Sequence, residues 1–420
     1  MLNKNSKSSR EFDVAVIGGG PAGMMAAGRA AELGARVVLL EKNAKLGRKL
    51  LITGGGRCNI TNAEFNTRHL IEKYGPKGKA LFGAFSRFGV EDTINFFTHR
   101  GLPIKVEAEK RAFPVTDKAE DVWQVMKDYL QQGQVEIVYD TAVSGLHRQG
   151  TNITAVMIGK KEIRAKKYII ATGGKSRPET GSTGDGFQWL SKLGHTIEES
   201  NVALVPIKIK ESWPKDVQGL SIDLAALTVL QDGIIQAVQR GKLLFTHFGI
   251  SGPLALNMSH VAISLHKHGV VRLNLDLRPE TDSVDLDKQI RSLVRTDLNK
   301  QLKNILSSII SPRLVKTILS QARIDPEKQG NALTKEERQL LVQHIKSLPM
   351  TVAGFLGEEK AVVTSGGVSL KEVDFKTMQS KKFTNLYLAG DILNFDRPSG
   401  GYSLQICWTT GYLAGENSVV

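Results

Sequence analysis

The order of apolar and polar positions divides this chain into segments of distinct kinds. Residues 14–17 form a continuous apolar run, the pattern of a strand covered on both faces, and it stops at Gly18, Gly19 and Gly20. An alanine-rich stretch over 22–33 follows with helical spacing and ends before Gly34, a residue suited to close a helix. A second apolar run at 36–40 completes a strand–helix–strand unit. Residues 66–101 read as mixed helix, with Phe82, Phe85, Phe88, Phe96 and Phe97 assigned to its core. A helix is predicted over 118–132, and strands over 135–139, 153–158 and 168–171, the last entering Thr172, Gly173 and Gly174.

Beyond Gly194 the period changes. Short strand-like runs at 203–210, 226–230 and 270–275 predict an antiparallel sheet or barrel. Residues 283–348 carry helical spacing, marked by Ile290, Leu293, Val294, Leu298 and Leu302, and Pro312, Pro326 and Pro349 divide them into separate helices. A strand at 361–364 leads to Gly366 and Gly367, and an apolar run from Leu386 ends in Gly390 and Asp391.

These elements place chemistry at both ends of the chain. Gly18, Gly20 and Gly23 have the GxGxxG spacing: a tight turn, a close approach of backbone to a pyrophosphate, and a helix seated on its strand. Pro21 and Ala22 open a helix whose free N–H groups favour phosphate oxygens. Glu41, after the second strand, is positioned to accept hydrogen bonds from an adenosine ribose and to repel a 2′-phosphate. This region alone admits NAD as well as FAD. The Gly390–Asp391 segment separates them, because a flavin needs its ribityl chain held at the far end of the same sheet. Gly400, Gly401, Tyr402 and Ser403 then offer helix N–H groups to the pyrimidine edge of the flavin. FAD is the expected cofactor.

Lys42, Lys45, Arg48, Lys49 and Arg57 form a cationic run with no acid among them, and Lys42 and Lys49 join the expected cofactor set. Gly54, Gly55 and Gly56 let the backbone pass close to pyrophosphate and ring. Arg57 is expected to neutralise phosphate or reduced flavin, and Asn59 to orient a substrate carbonyl. Cys58 is read either as a general acid beside the ring or as packing. Val143, Thr172, Gly173 and Gly174 complete the cofactor set. His247 and Ser251 are candidates for substrate contact or proton delivery; the alternative is a turn residue, with Gly252 and Pro253 a packing corner. Arg397 binds an anionic group or the flavin, or makes a surface pair, and Cys407 is structural. The expected catalytic set is Arg57, Cys58 and His247. No metal-ligand spacing and no nucleophile–base triad can be argued.

A length of 420 residues calls for two or three domains. No apolar run approaches the length of a membrane span, and the first ten residues lack a secretory hydrophobic region. With two cysteines and no CxxC, the expectation is a cytoplasmic protein with no membrane association; oligomeric state stays open. The net charge is +14, and residues 1–112 hold 19 Lys and Arg against 10 Asp and Glu. Two cofactor phosphates do not require such a surplus. It fits either a generally basic protein or an anionic macromolecular partner such as RNA.

Five motifs carry a resemblance to the HI0933-like (BaiN-like) flavoproteins: GRKLLITGGGRCNITN at 47–62, ATGG at 171–174, GSTGDG at 181–186, LFTHFGISGP at 244–253 and LYLAGDILNFDRPSGGY at 386–402. The resemblance implies an α/β fold with a Rossmann-type FAD-binding domain, similar to those of glutathione reductase and fumarate reductase, split by an insertion with a β-barrel part and a helical part. The expected boundaries are 1–194 with 365–420 for the FAD domain, 195–282 with 350–364 for the β part, and 283–349 for the helical part. No second GxGxxG and no paired cysteines are present, so disulfide reduction is not expected and NAD(P)H is at most a transient electron donor. Members of the family are assigned as ribosomal RNA dihydrouridine synthases or as reductases of unsaturated bile acids. Both substrates carry a C=C bond conjugated to a carbonyl. The surplus charge tilts the expectation to a uridine of large-subunit ribosomal RNA or its precursor. The alternatives are a small-molecule enone reductase or oxidase, and a redox-sensing flavin-binding protein with little turnover.

Overall fold

The computed structural model describes residues 11–198, 204–356 and 366–419. The strand expected at 361–364 lies outside them. The chain divides into two compact units, Met1–Ser200 with Val362–Val420, and Asn201–Ala361.

The first unit is built on a seven-stranded sheet. Its spatial order is Val373–Asp374, Gln379–Ser380, Leu386–Leu388, Ala165–Ile170, Phe12–Ile17, Val37–Leu40 and Glu136–Val138. The five strands from Leu386–Leu388 onward run parallel, and the other two form an antiparallel edge. The central strands are apolar at every position because helices cover both faces, which is why Val14–Ile17 and Val37–Leu40 do not alternate. The helix Pro21–Glu32 packs along the last helix, Tyr402–Asn417. They come close because small residues line the crossing: a Cβ on Gly411 would stand 2.4 Å from the Ala22 carbonyl oxygen.

The last helix is fixed at its start by a buried polar cluster. Gln405 accepts from the Thr61 hydroxyl at 2.5 Å and donates to Thr93 Oγ1 at 2.9 Å and Thr409 Oγ1 at 3.0 Å. Trp408 donates to the Ile60 carbonyl at 3.0 Å. In a dry core such bonds are costly to break, so the helix start is held against the strand Thr61–Asn62. Of the five phenylalanines assigned to the core, four are buried. Phe82 is 50% exposed, a correction, because the helix Phe82–Arg87 turns Ala84 and Phe85 inward instead.

The second unit holds a closed barrel in the order Ile207–Ile209, Gly249–Ser251, Ile234–Thr246, Ser221–Gln231, Val271–Asp276 and Leu348–Phe355. Helices Ser283–Thr296, Leu302–Leu306, Pro312–Gln321 and Lys335–Lys346 share one apolar core with it. Two features depart from expectation. Gly252–His266 is a helix rather than a packing corner: Pro253 sits in its first turn, where a missing N–H is harmless, and the apolar residues that follow have no turn signal. Pro349 does not divide helices but lies inside the strand Leu348–Phe355.

The chain leaves and re-enters the first unit through one antiparallel pair, Ile197–Glu198 with Gly367–Val368. Glu372 anchors it. Its carboxylate accepts from Thr196 N at 3.0 Å, Thr196 Oγ1 at 2.9 Å, His195 Nδ1 at 2.8 Å and Lys382 Nζ at 2.9 Å. His195 Nε2 in turn meets Ser380 Oγ at 3.0 Å. A serine–histidine–carboxylate chain therefore exists that sequence did not reveal. It is a structural chain: Ser380 is buried, and its Oγ accepts from the backbone N–H groups of Lys382 and Phe383. Burial opposes the charge on Glu372, yet these donors outweigh it and hold the pKa at about 2. Burial also keeps His195 below 6.5 against the pull of Glu372, so the ring is neutral and donates from Nδ1. A depressed carboxylate contributes stability above its unfolded value of 4.5, and that contribution is lost as pH falls toward 2. Glu372→Gln is expected to lower the melting temperature at pH 7 and to flatten its decline below pH 4.5, measured by thermal unfolding across pH.

Candidate functional site

The carboxyl ends of the parallel strands open onto a cavity of about 850 Å³, part of it open to solvent. Its wall draws on both ends of the sequence, with Gly18, Gly20 and Glu41 from one and Asp391 and Cys407 from the other.

At the amino-terminal end, Gly18 takes φ +103°, a conformation that side chains disfavour, and turns the chain from strand into helix. The fingerprint glycines differ in what surrounds them. A Cβ on Gly23 would sit 1.8 Å from the Gly18 carbonyl oxygen, whereas a Cβ on Gly20 would meet no protein atom within 4 Å. Gly20 lines the cavity with Pro21 and Ala22, and Gly23 packs behind it. The helix begins here with no acidic residue in its first turn, so its N–H groups and positive dipole end are left for an anion. Glu41 is buried and rigid: Oε2 accepts from Gly19 N at 2.8 Å, and Oε1 from Asn43 N at 2.8 Å and Asn43 Nδ2 at 2.6 Å.

Lys42 lines the wall and donates to Asp185 Oδ2 at 2.8 Å and Thr183 Oγ1 at 2.6 Å, closing residues 180–185 against the second strand. Lys49 donates to Ser176 Oγ at 3.1 Å. Burial draws its pKa down; among nearby charges Asp391 favours the ammonium and Arg397 opposes it. Val143, Thr172 and Gly173 also line the wall, and Gly174 is buried beside them.

At the other end Asp391 sits in the short turn Gly390–Ile392 and pairs through Oδ1 with Arg397 Nη1. The Arg397 side chain is fully buried, which corrects the surface-pair alternative. Gly390 stands behind the wall, its N–H donating to Thr410 Oγ1 at 2.9 Å. Gly400, Gly401, Tyr402 and Ser403 form the start of the last helix and do not line the cavity.

The glycine-rich loop is likewise not part of this wall. Gly54, Gly55 and Gly56 all have positive φ. Arg57, expected at a phosphate, is committed elsewhere: Nη2 lies 2.5 Å from both Glu107 Oε1 and Asp117 Oδ1, and its guanidinium stacks 4.1 Å from the Phe113 ring centroid. Cys58 is fully buried, and burial pushes its thiol up to about 12, against a weak pull from Thr53. A proton donor works best with a pKa near the working pH, so this environment suits packing. Asn59 Oδ1 is buried without a partner. His247 belongs to the second unit, exposed between the strands Ile234–Thr246 and Gly249–Ser251, with Phe248 against its ring. Ser251 precedes the helix Gly252–His266.

Sequence reasoning missed Asn43, Thr141, Ser182, Thr183, Asp185, Trp189 and Cys407 on the wall. The GSTGDG stretch was visible as a motif but without a role. Cys407 is buried there too, so it both packs and lines. Among the described residues no cluster of His, Cys, Asp and Glu could hold a metal.

The residues fit FAD on two observations. The space beside Gly20 is empty of protein at the helix N-terminus, and Thr172 Oγ1 on the cavity wall is buried with no hydrogen-bond partner. A family model described as the HI0933-like protein Rossmann domain matches residues 12–417. The chain is 29% identical to a 3-dehydro-bile acid delta(4,6)-reductase of Clostridium scindens, covering 96% of this chain and 98% of that protein. It is 28% identical to a ribosomal RNA dihydrouridine synthase of Escherichia coli, over 97% and 98%. In fold it is similar to an open-form flavocytochrome c3 fumarate reductase (TM-score 0.56, 15% identity, 98% of this chain and 79% of that one). It is equally similar to a 3-ketosteroid-delta4-(5alpha)-dehydrogenase of Rhodococcus jostii (TM-score 0.56, 14% identity, 99% and 98%). A Rossmann-type FAD-binding fold is thus established.

Gly20→Val and Gly23→Ala are expected to fail in different ways. Gly20→Val should keep a near-normal melting temperature and purify without flavin, whereas Gly23→Ala should lose about 1–3 kcal/mol of stability through overpacking. Calorimetry and the visible flavin spectrum of both variants check this.

Proposed function

The chain belongs to the HI0933-like family of FAD-dependent oxidoreductases, and from that premise we propose that it reduces a C=C bond conjugated to a carbonyl, its substrate a uridine of large-subunit ribosomal RNA. The observation that carries the proposal is the single cavity wall shared by Glu41 and Asp391. In it Glu41 takes the adenosine ribose, Gly20 and the helix start at Pro21 take the pyrophosphate, and Asp391 takes the ribityl hydroxyls. Bound FAD supplies hydride transfer to the β carbon of the polarised double bond, with a proton going to the α carbon and NAD(P)H as the transient donor of the electron pair. Cys58 is too deeply buried to serve as that acid.

Charge supports an RNA substrate. Arg68, Lys73 and Lys79 are exposed and make no ion pair among the described residues. Phe65 and Phe82, at the two ends of the same stretch, are 62% and 50% exposed. Cations beside exposed aromatics suit phosphates and unstacked bases. The second reading, a bile-acid-like enone, is favoured by the Clostridium scindens relative at comparable identity. No helix among the described residues is long and apolar enough to cross a membrane.

Denatured protein is expected to release FAD, and ribosomal RNA from cells lacking the gene to lose dihydrouridine at one position, read by mass spectrometry. Equal dihydrouridine content in both strains would turn the assignment to a small enone. Cys58→Ala should leave turnover intact.

A further inference from the structure

Arg397 is a fully buried arginine that reaches the cofactor cavity only through another residue. Its Nη1 pairs with Asp391 Oδ1, its Nη2 donates to the Leu393 carbonyl at 2.8 Å, and its Nε has no acceptor. Two grips therefore fix the guanidinium plane, one on the carboxylate and one on the backbone two residues further along. Arg397 itself does not line the cavity, whereas Asp391 does. With Oδ1 held from behind, Oδ2 is the oxygen left to accept from a ligand.

A second cation stands on the same wall. Lys49 lines the cavity and lies within the electrostatic reach of Asp391, yet it makes no ion pair among the described residues and donates to Ser176 instead. Both residues line one wall and Asp391 is the neighbouring charge that most favours the ammonium, so an Asp391 with no other partner would draw the flexible lysine toward it. Such a closure would occupy the acceptor that a ribityl hydroxyl needs and place the lysine side chain in the cofactor's path.

We propose that Arg397 is a positioning residue that holds Asp391 for the ribityl chain of FAD by satisfying its charge from the side away from the cavity, so that Lys49 does not pair with it. The inference rests on the FAD reading of the site. A bidentate-capable, planar guanidinium fixes the orientation of a carboxylate in a way that a point charge on a flexible stem does not. The loop Asp396–Ser399 then has a function beyond connection: it carries the counter-ion that keeps the cofactor's acceptor free.

The test is FAD affinity, measured by titrating deflavinated protein and following flavin fluorescence. R397M is expected to bind FAD about tenfold more weakly or worse, the cost of disturbing a hydrogen bond to a charged group. Adding K49M to R397M should recover most of that loss, because the competing ammonium is gone, while R397K, which restores the charge without the planar fork, should recover only part of the wild-type affinity. A purely structural role for Arg397 would lower the melting temperature and would not be relieved at position 49. Wild-type affinity in R397M, or a deeper loss in the double variant, overturns the proposal. Should R397M not fold, R397Q, which keeps a donor for the Leu393 carbonyl but no charge, carries the same comparison. Failure of the wild-type protein to take up any FAD overturns the cofactor reading itself; uptake by wild type with no effect of R397M overturns only the role of Arg397.

Discussion

The close crossing of the helices Pro21–Glu32 and Tyr402–Asn417 is the constraint on which the site depends. One helix begins at the fingerprint turn and the other begins just after the Asp391 loop, so their contact brings two carboxylates from opposite ends of the chain to one cavity. The close approach needs glycine at Gly411 and Gly415, where a Cβ would stand 2.4 Å from the carbonyl oxygens of Ala22 and Ala26. A side chain at Gly411 would drive into the Ala22 carbonyl, and separating the helices by the width of a methyl group would move Asp391 relative to Glu41. The polar cluster around Gln405 locks the same helix along its axis, so both spacing and register are set before any ligand arrives.

The parts of this architecture that follow local rules were legible in the sequence. The continuous apolar runs, the glycine spacing, Glu41 and the terminal Gly-Asp pair all report short-range geometry, and each occupies its expected element. The short runs beyond Gly194 left a sheet or a barrel open, and the resemblance chose the barrel and named the family. What stayed hidden depends on partners distant in sequence. Arg57 looks like a phosphate ligand until the hairpin that carries Glu107 and Asp117 folds onto it. Cys58 is reactive in type and inert in place, because burial is a property of the assembled core. The helix Gly252–His266 escaped because a helix apolar on several sides has no period to read. The Glu372 anchor joins residues separated by most of the insertion, and no spacing rule could have paired them with His195.

Electrostatics within the first unit is arranged by assignment rather than by abundance. Several buried or half-buried charges are paired with a counter-ion, Lys42 with Asp185, Arg397 with Asp391 and Glu372 with Lys382, whereas Glu41 is held by N–H donors alone. Removing one member of a buried pair typically costs about 3–5 kcal/mol, a large share of the stability of a domain. Lys49 is the exception on the cavity wall, a cation with a hydroxyl but no carboxylate of its own.

The pairing of Ile197–Glu198 with Gly367–Val368 gives the molecule a natural seam. Because departure and return are adjacent hydrogen-bonded strands, the flavin-holding body is continuous in space even though it is interrupted in sequence. Everything between can be lengthened, shortened or exchanged without reopening that body's sheet. A seam of this kind lets the second unit change in length or content while the strand order of the first is preserved.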